Sequence, residues 1–176
     1  MVQEFVLQIK KMIERQIREV HTAMPGEIVS FDPATGLATV LPSMKFRKPD
    51  GTTVDYPQIS GVPVLFPQGL GGNATIAFPV VAGDSCLIIV AEQSIDYWLY
   101  GQETDTDLAF DLTDAMCIPG LFSTANPVAA EAYEQNAVIV DVKGTRLTVK
   151  DGEVDINAAT VKVSGNLVVE GTVTSN

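Results

Sequence analysis

The sequence predicts a mainly β protein with three parts: an N-terminal helix, an OB-fold-like β-barrel, and a C-terminal intertwined β-helix or β-prism shared between copies. Three observations predict it. Residues 2–20 carry apolar side chains at three- and four-residue steps, which is the helical period. Residues 26–100 divide into short β-rich runs separated by Gly and Pro turns, as in small closed barrels. Residues 144–175 repeat a unit of six to seven residues in which apolar and polar positions alternate, the strand period.

The first element, residues 1–23, is the helix. Val2, Phe5, Val6, Ile9, Met12, Ile13, Ile17 and Val20 form its apolar stripe, with charges opposite. The subset Val2, Val6, Ile9, Ile13, Gln16 and Val20 also fits a short heptad seam. We read Val6, Ile9, Ile13 and Val20 as the contact that packs on further copies or on a neighbouring hub protein. The helix is expected to end near His21–Met24, before Pro25-Gly26.

The barrel is expected over 24–100. Gly26–Phe31 and Leu37–Leu41 form a hairpin around Asp32-Pro33-Ala34-Thr35-Gly36, where Pro fixes φ and Gly permits a positive one. Lys45–Gly51 is a polar excursion, turning at Pro49-Asp50-Gly51. Strands follow at Val54–Ile59, Val62–Phe66, Asn73–Phe78 and Ser85–Ala91. Gly69–Gly72 is a flexible connection and not a phosphate loop, because no Gly-Lys-Ser/Thr follows. Val81–Asp84 is a turn, and Ser94–Trp98 is a helical turn capped by Ser94. Phe66, Phe78, Tyr97, Trp98 and Tyr100 read as core.

Residues 101–135 read as an acidic linker, with Glu103, Asp105, Asp107, Asp111 and Asp114, in which Pro119-Gly120 and Pro127 oppose helix formation. Within it, Ala115–Leu121 is suited to pack on the barrel. Residues 136–176 hold the repeat: Leu147/Val149, Val154/Ile156/Ala158, Val161/Val163, Leu167/Val169 and Val173 are apolar, and Gly144, Gly152, Gly165 and Gly171 mark turns. Strands of about four or five residues with one dry face cannot bury that face alone. The repeat therefore predicts several copies sharing one narrow core.

Apolar content of 46% suffices for a packed core, and the net charge is −11. The 94 residues between Lys48 and Lys143 contain no Lys or Arg and 13 Asp or Glu. That stretch repels phosphate backbones, so direct nucleic-acid binding is not expected. Cys86 lies in an apolar run and reads as a small buried hydrophobe, with a Cys86–Cys117 bridge left open. Charges at Glu4, Lys10, Lys11, Glu14 and Arg15 interrupt any signal-peptide core. No run approaches a membrane span. Synthesis in the cytoplasm as a soluble chain is the expectation.

Catalytic chemistry is sparse. His21 is the single histidine, and no nucleophile elbow, Walker loop, zinc spacing or calcium-loop spacing occurs. Asp32 and Asp84 sit where turns use Asp for backbone hydrogen bonds. We expect no enzyme activity, no cofactor and no metal.

The segments "ISGVPVLFP", "FPVVAGDSCLIIVAEQSIDYW" and "DAMCIPGL", followed by the β-repeat, resemble the central spike, the membrane-piercing baseplate spike of contractile-tailed bacteriophages. The likeness covers 24–176, and the Gly83-Asp84 turn with Asp96-Tyr97-Trp98 is its most specific part. The resemblance implies a homotrimer with an OB-fold domain and an intertwined β-helix. Leu147, Val149, Val154, Ile156, Val161, Val163, Leu167 and Val169 would form the trimer core. It implies a virion protein assembled in the host cytoplasm. Baseplate hub and tail tube proteins would be its partners, and the host outer envelope its target. Many relatives carry a His-x-His iron site at the tip. No histidine follows His21 here, so a separate spike-tip protein is expected. A trimeric OB-fold binding module for glycan or protein in a related injection machine is the competing reading. A cell-wall hydrolase is a third.

Overall fold

The alternating run after the helix becomes a ten-residue strand, β1 (Ala23–Asp32), with Met24, Gly26 and Ile28 facing inward. It belongs to a computed structural model that describes residues 2–18, 20–48, 50–101, 106–121 and 126–174. Pro49, Glu103, Asp105, Ser175, Asn176 and the side chain of Val2, which the sequence reading used, lie outside the described residues. The chain divides into two compact units, 1–121 and 122–176.

In the first unit, α1 (Val2–Arg18) precedes β1. The Asp32 carboxylate accepts from the Ala34 N–H and the Thr35 hydroxyl, each at 2.9 Å. This turn reverses the chain into β2 (Leu37–Pro42), antiparallel to β1 with Ile28 opposite Val40. β3 (Lys45–Arg47) and β4 (Thr53–Asp55) then form a hairpin of their own. β5 (Ile59–Pro63) pairs with the far edge of β2. β6 (Gln68–Gly69) and β7 (Ala74–Thr75) make a second small hairpin. β8 (Ser85–Val90) pairs with β1 on its other side, α2 (Asp96–Tyr100) follows, and β9 (Ala115–Pro119) pairs with β8.

The resulting sheet runs β5-β2-β1-β8-β9. It is a curled antiparallel half-barrel. Its two edges meet at one parallel bridge between Val64 and Cys117, where the Leu65 N–H donates to the Cys117 carbonyl at 2.8 Å. The concave face holds the core: Ile28, Val40, Val62, Cys86, Ile88 and Cys117 are fully buried, with Phe31, Val64, Phe66 and Leu112 packed around them. Both thiols are free and buried, as the reading of Cys86 as a small hydrophobe expected. A hydrogen bond to Cys86 and burial push the Cys117 thiol well above its ordinary value.

Several elements differ from the sequence reading, each for a physical reason. The helix stops at Arg18, and Pro25 lies inside β1 and not in a break. Its carbonyl accepts from the Ser43 N–H, beyond the end of β2, so its missing N–H costs the ladder nothing. Ser60-Gly61, read as a gap between strands, lies within β5, where Gly61 at φ +73° accompanies a shift of register against β2. Only Ala74–Thr75 of the run 73–78 is strand. Residues 101–135, read as linker, contain β9 and the helix α3 (Pro127–Gln135). Phe78, Tyr97, Trp98 and Tyr100, read as core, are exposed, although Phe78 meets the half-buried Phe66 edge-on at 5.3 Å. β-branched and sulfur side chains already fill the interior, with Phe31 and Phe66 packed against them, and α2 buries none of its residues.

Gly26 tests how tightly that space is filled. A Cβ there would collide with the Ile88 side chain and stand 3.1 Å from the Leu41 carbonyl oxygen. Gly26→Ala is expected to destabilise the first unit by about 1–3 kcal/mol. It should lower the denaturant midpoint while leaving the slope unchanged.

Candidate assembly surfaces

The second unit begins where Asn126 and Pro127 start a helix. The Asn126 Oδ1 accepts from the Val128 N–H at 2.8 Å and the Ala129 N–H at 3.3 Å. Pro127 occupies the first helical turn, where a missing N–H is harmless. After α3 come β10 (Val138–Val142), β11 (Thr145–Lys150) and β12 (Glu153–Asn157), an antiparallel meander. Lys143 and Gly144 both take positive φ, +51° and +90°. That is the two-residue turn whose twist suits a hairpin.

Register assigns the faces. Leu147 stands opposite Ile156 and Val149 opposite Val154, while Val140 and Val138 pair with Leu147 and Val149 from the other side. These six side chains share one face. Ile139, Asp141, Arg146, Thr148 and Asp155 share the other.

α3 is tied to the polar face. The Arg146 guanidinium donates to both Glu131 oxygens from one nitrogen, at 2.6 and 2.7 Å, and to Asp141 from Nε. Its hydrogen bond holds the Asp141 carboxyl below its ordinary value, and Glu131 first, then Asp141, raises the guanidinium. Thr148 is buried on this side. The opposite, apolar face has no cover: Val154 is 62% exposed and Ile156 52%.

Of the eight side chains assigned to a shared core, the structure brings Leu147, Val149, Val154 and Ile156 together. Val161, Val163, Leu167 and Val169 follow on residues 158–174, which form no strand and leave these side chains exposed. The single chain thus forms a meander at 138–157, where an intertwined β-helix was expected. Short strands at 158–174 would need neighbours for their N–H and C=O groups. Val138 and Val140 belong to the apolar face and were missed. The alternation Val138-Ile139-Val140-Asp141-Val142 was the signal.

Two further surfaces accompany it. Residues 3–18 of α1 are all exposed, so Val6, Ile9 and Ile13, with Val20 beyond, present an open apolar stripe. On α2, Tyr97, Trp98 and Tyr100 stand in solvent, with Trp98 61% exposed. Open apolar area of this extent is uncommon on the surface of a soluble monomer. Among the described residues, no group of three or more His, Cys, Asp or Glu is placed to share a metal ion, and no helix is long and apolar enough to cross a membrane.

A family model described as Phage protein Gp138 N-terminal domain matches residues 24–120, more than half of the 176 residues. Its limits coincide with the β1-to-β9 half-barrel. No curated protein matches the chain.

The Arg146 network has a pH signature. Asp141 titrates below its ordinary 3.8 when folded, so the unfolded chain binds the proton more readily. The stabilisation is complete above that ordinary value and is lost as pH falls through the lower folded value. Protection of the β10 and β11 amides, taken as the exchange rate relative to the unfolded chain at the same pH, should be high at neutral pH and fall in acid. Arg146→Gln should lower that protection at neutral pH and leave it nearly constant as the pH falls.

Proposed function

The chain belongs to the phage protein Gp138 N-terminal domain family, and from that premise we propose that it is a structural virion protein, the trimeric central spike of a contractile tail baseplate. One observation carries the reading: α3 covers the polar face of the meander, and the apolar face of Val138, Val140, Leu147, Val149, Val154 and Ile156 is left open. A face of this kind is stable in water only when another apolar surface covers it. Three copies turned about one axis bring three such faces together. Residues 158–174 then find strand partners on neighbouring chains, with Val161, Val163, Leu167 and Val169 extending the same core.

The intertwined form suits a load-bearing rod. A chain paired to two neighbours along its length cannot be withdrawn without breaking successive backbone hydrogen bonds. The half-barrel supports the same assignment. Its strand order, with edges joined in parallel at Val64 and Cys117, supports reading it as an OB-type barrel. In this reading the barrel end, the α1 stripe and the α2 aromatics engage the hub and tail tube, since Trp and Tyr are favoured at contact centres. A separate tip protein completes the spike, and contraction drives it into the host envelope. The role is mechanical, with no catalytic step and no cofactor.

The test is solution mass by light scattering. Full-length protein should run near three times 18.8 kDa, and truncation at residue 136 should bring it towards monomer. Ile156→Asp should abolish the trimer, because three carboxylates would meet in one dry layer. A full-length monomer, or a trimer unaffected by Ile156→Asp, would overturn the reading.

A further inference from the structure

The first unit segregates its charge. Its Lys and Arg residues are Lys10, Lys11, Arg15 and Arg18 on α1 and Lys45, Arg47 and Lys48 around β3, and none occurs from 49 to 121. Four of these cations, Arg18, Lys45, Arg47 and Lys48, line one open cleft of about 650 Å³ together with Phe46 and Tyr56. Tyr56 meets Phe46 edge-on with centroids at 6.2 Å, and the two rings form one wall; His21 stands behind Tyr56 at 5.9 Å.

The hairpin that supplies most of this cleft has no role in the core. β3 and β4 pair only with each other, and none of their residues is buried. Its composition is therefore not dictated by folding. Two carboxylates lie close by, and both are engaged. Asp55 pairs with Lys45 at 2.7 Å, and Asp50 accepts from the Thr52 N–H and hydroxyl. Among the described residues no carboxylate pairs with Arg18, Arg47 or Lys48.

We propose that this cleft is a docking site for an acidic segment of a partner protein. Each cation is solvent-exposed, so a single small anion would gain little from any one of them. A segment bearing several carboxylates engages several cations at once, and the gains combine. The aromatic wall fits the aliphatic stems of Glu side chains. Longer polyanions are disfavoured, because the −11 chain repels whatever reaches beyond the cleft, whereas the closely spaced carboxylates of a short peptide can meet the four cations together. This site stands on the first unit alone and does not depend on the trimer.

The experiment measures fluorescence anisotropy of labelled octaglutamate peptide against the full-length chain, and against the double variant Arg47→Glu/Lys48→Glu. Both positions are exposed on the hairpin, so the variant keeps the fold. The expected result is binding at low salt that weakens steeply as salt rises. The variant should bind about tenfold more weakly or worse, on the scale of several exposed charge pairs acting together. Octaglutamine, a single-stranded oligonucleotide of equal charge and phosphatidylglycerol vesicles should bind less than the acidic peptide. Absence of peptide binding, unchanged affinity in the variant, or tighter binding to the oligonucleotide or the vesicles would each overturn the proposal.

Discussion

The organisation of the second unit depends on where α3 lies. Arg146 reaches from β11 to Glu131 on the helix and to Asp141 on β10, and so ties three elements through one guanidinium. A planar donor with several N–H groups suits this bridging, which a lysine could not reproduce. Because the tie is on the polar face, the helix cannot also shield the valines opposite. The meander is left with one face satisfied locally and one that requires something outside the unit. Had α3 carried an apolar stripe and crossed the other side, the same strands would have closed into a self-sufficient small domain.

The first unit solves the opposite problem. The apolar residues of its curled sheet turn inward, and the groups left outside include the charged and aliphatic side chains of α1 and the aromatics of α2. Folding needs β1, β2, β5, β8 and β9, and the small hairpins and α1 are additions to that frame. Surface chemistry is concentrated on the additions: cations on α1 and β3, aromatics on α2. The frame can therefore stay constant while its contact chemistry varies, as is common where loops and short elements carry recognition on a rigid scaffold.

Much of the frame was legible in the sequence, because Gly and Pro turns bound the short β-rich runs Leu37–Leu41 and Ser85–Ala91. The Asp32 and Asp84 turns were legible for a similar reason: a short carboxylate that reaches its own backbone leaves few alternatives. What escaped reading depends on long-range partners. Ala115–Leu121 was read as packing on the barrel and not as a strand, and Ala115–Pro119 becomes one because β8 offers an open edge. Pro127 reads as a breaker until Asn126 is seen to cap the turn that it begins. The exposure of Trp98 and Tyr100 could not be inferred from their apolarity, since which residues fill the interior is a property of the whole sheet. Within the apolar face, the period of two identified Leu147, Val149, Val154 and Ile156, but it does not tell which alternating segments pair: β10 to β12 do, and residues 158–174 form no strand in the single chain.

The meeting point of Val64 and Cys117 has a consequence for motion. The Cys117 backbone carries the single stitch across the open side of the half-barrel, while its side chain lies fully buried beside Cys86. No thiol reagent reaches that sulfur while the stitch is closed, and its raised proton affinity keeps it in the unreactive form. Its chemical modification therefore waits on local opening. The protein carries its own reporter of sheet breathing, placed by the sequence at the point where the closure is thinnest.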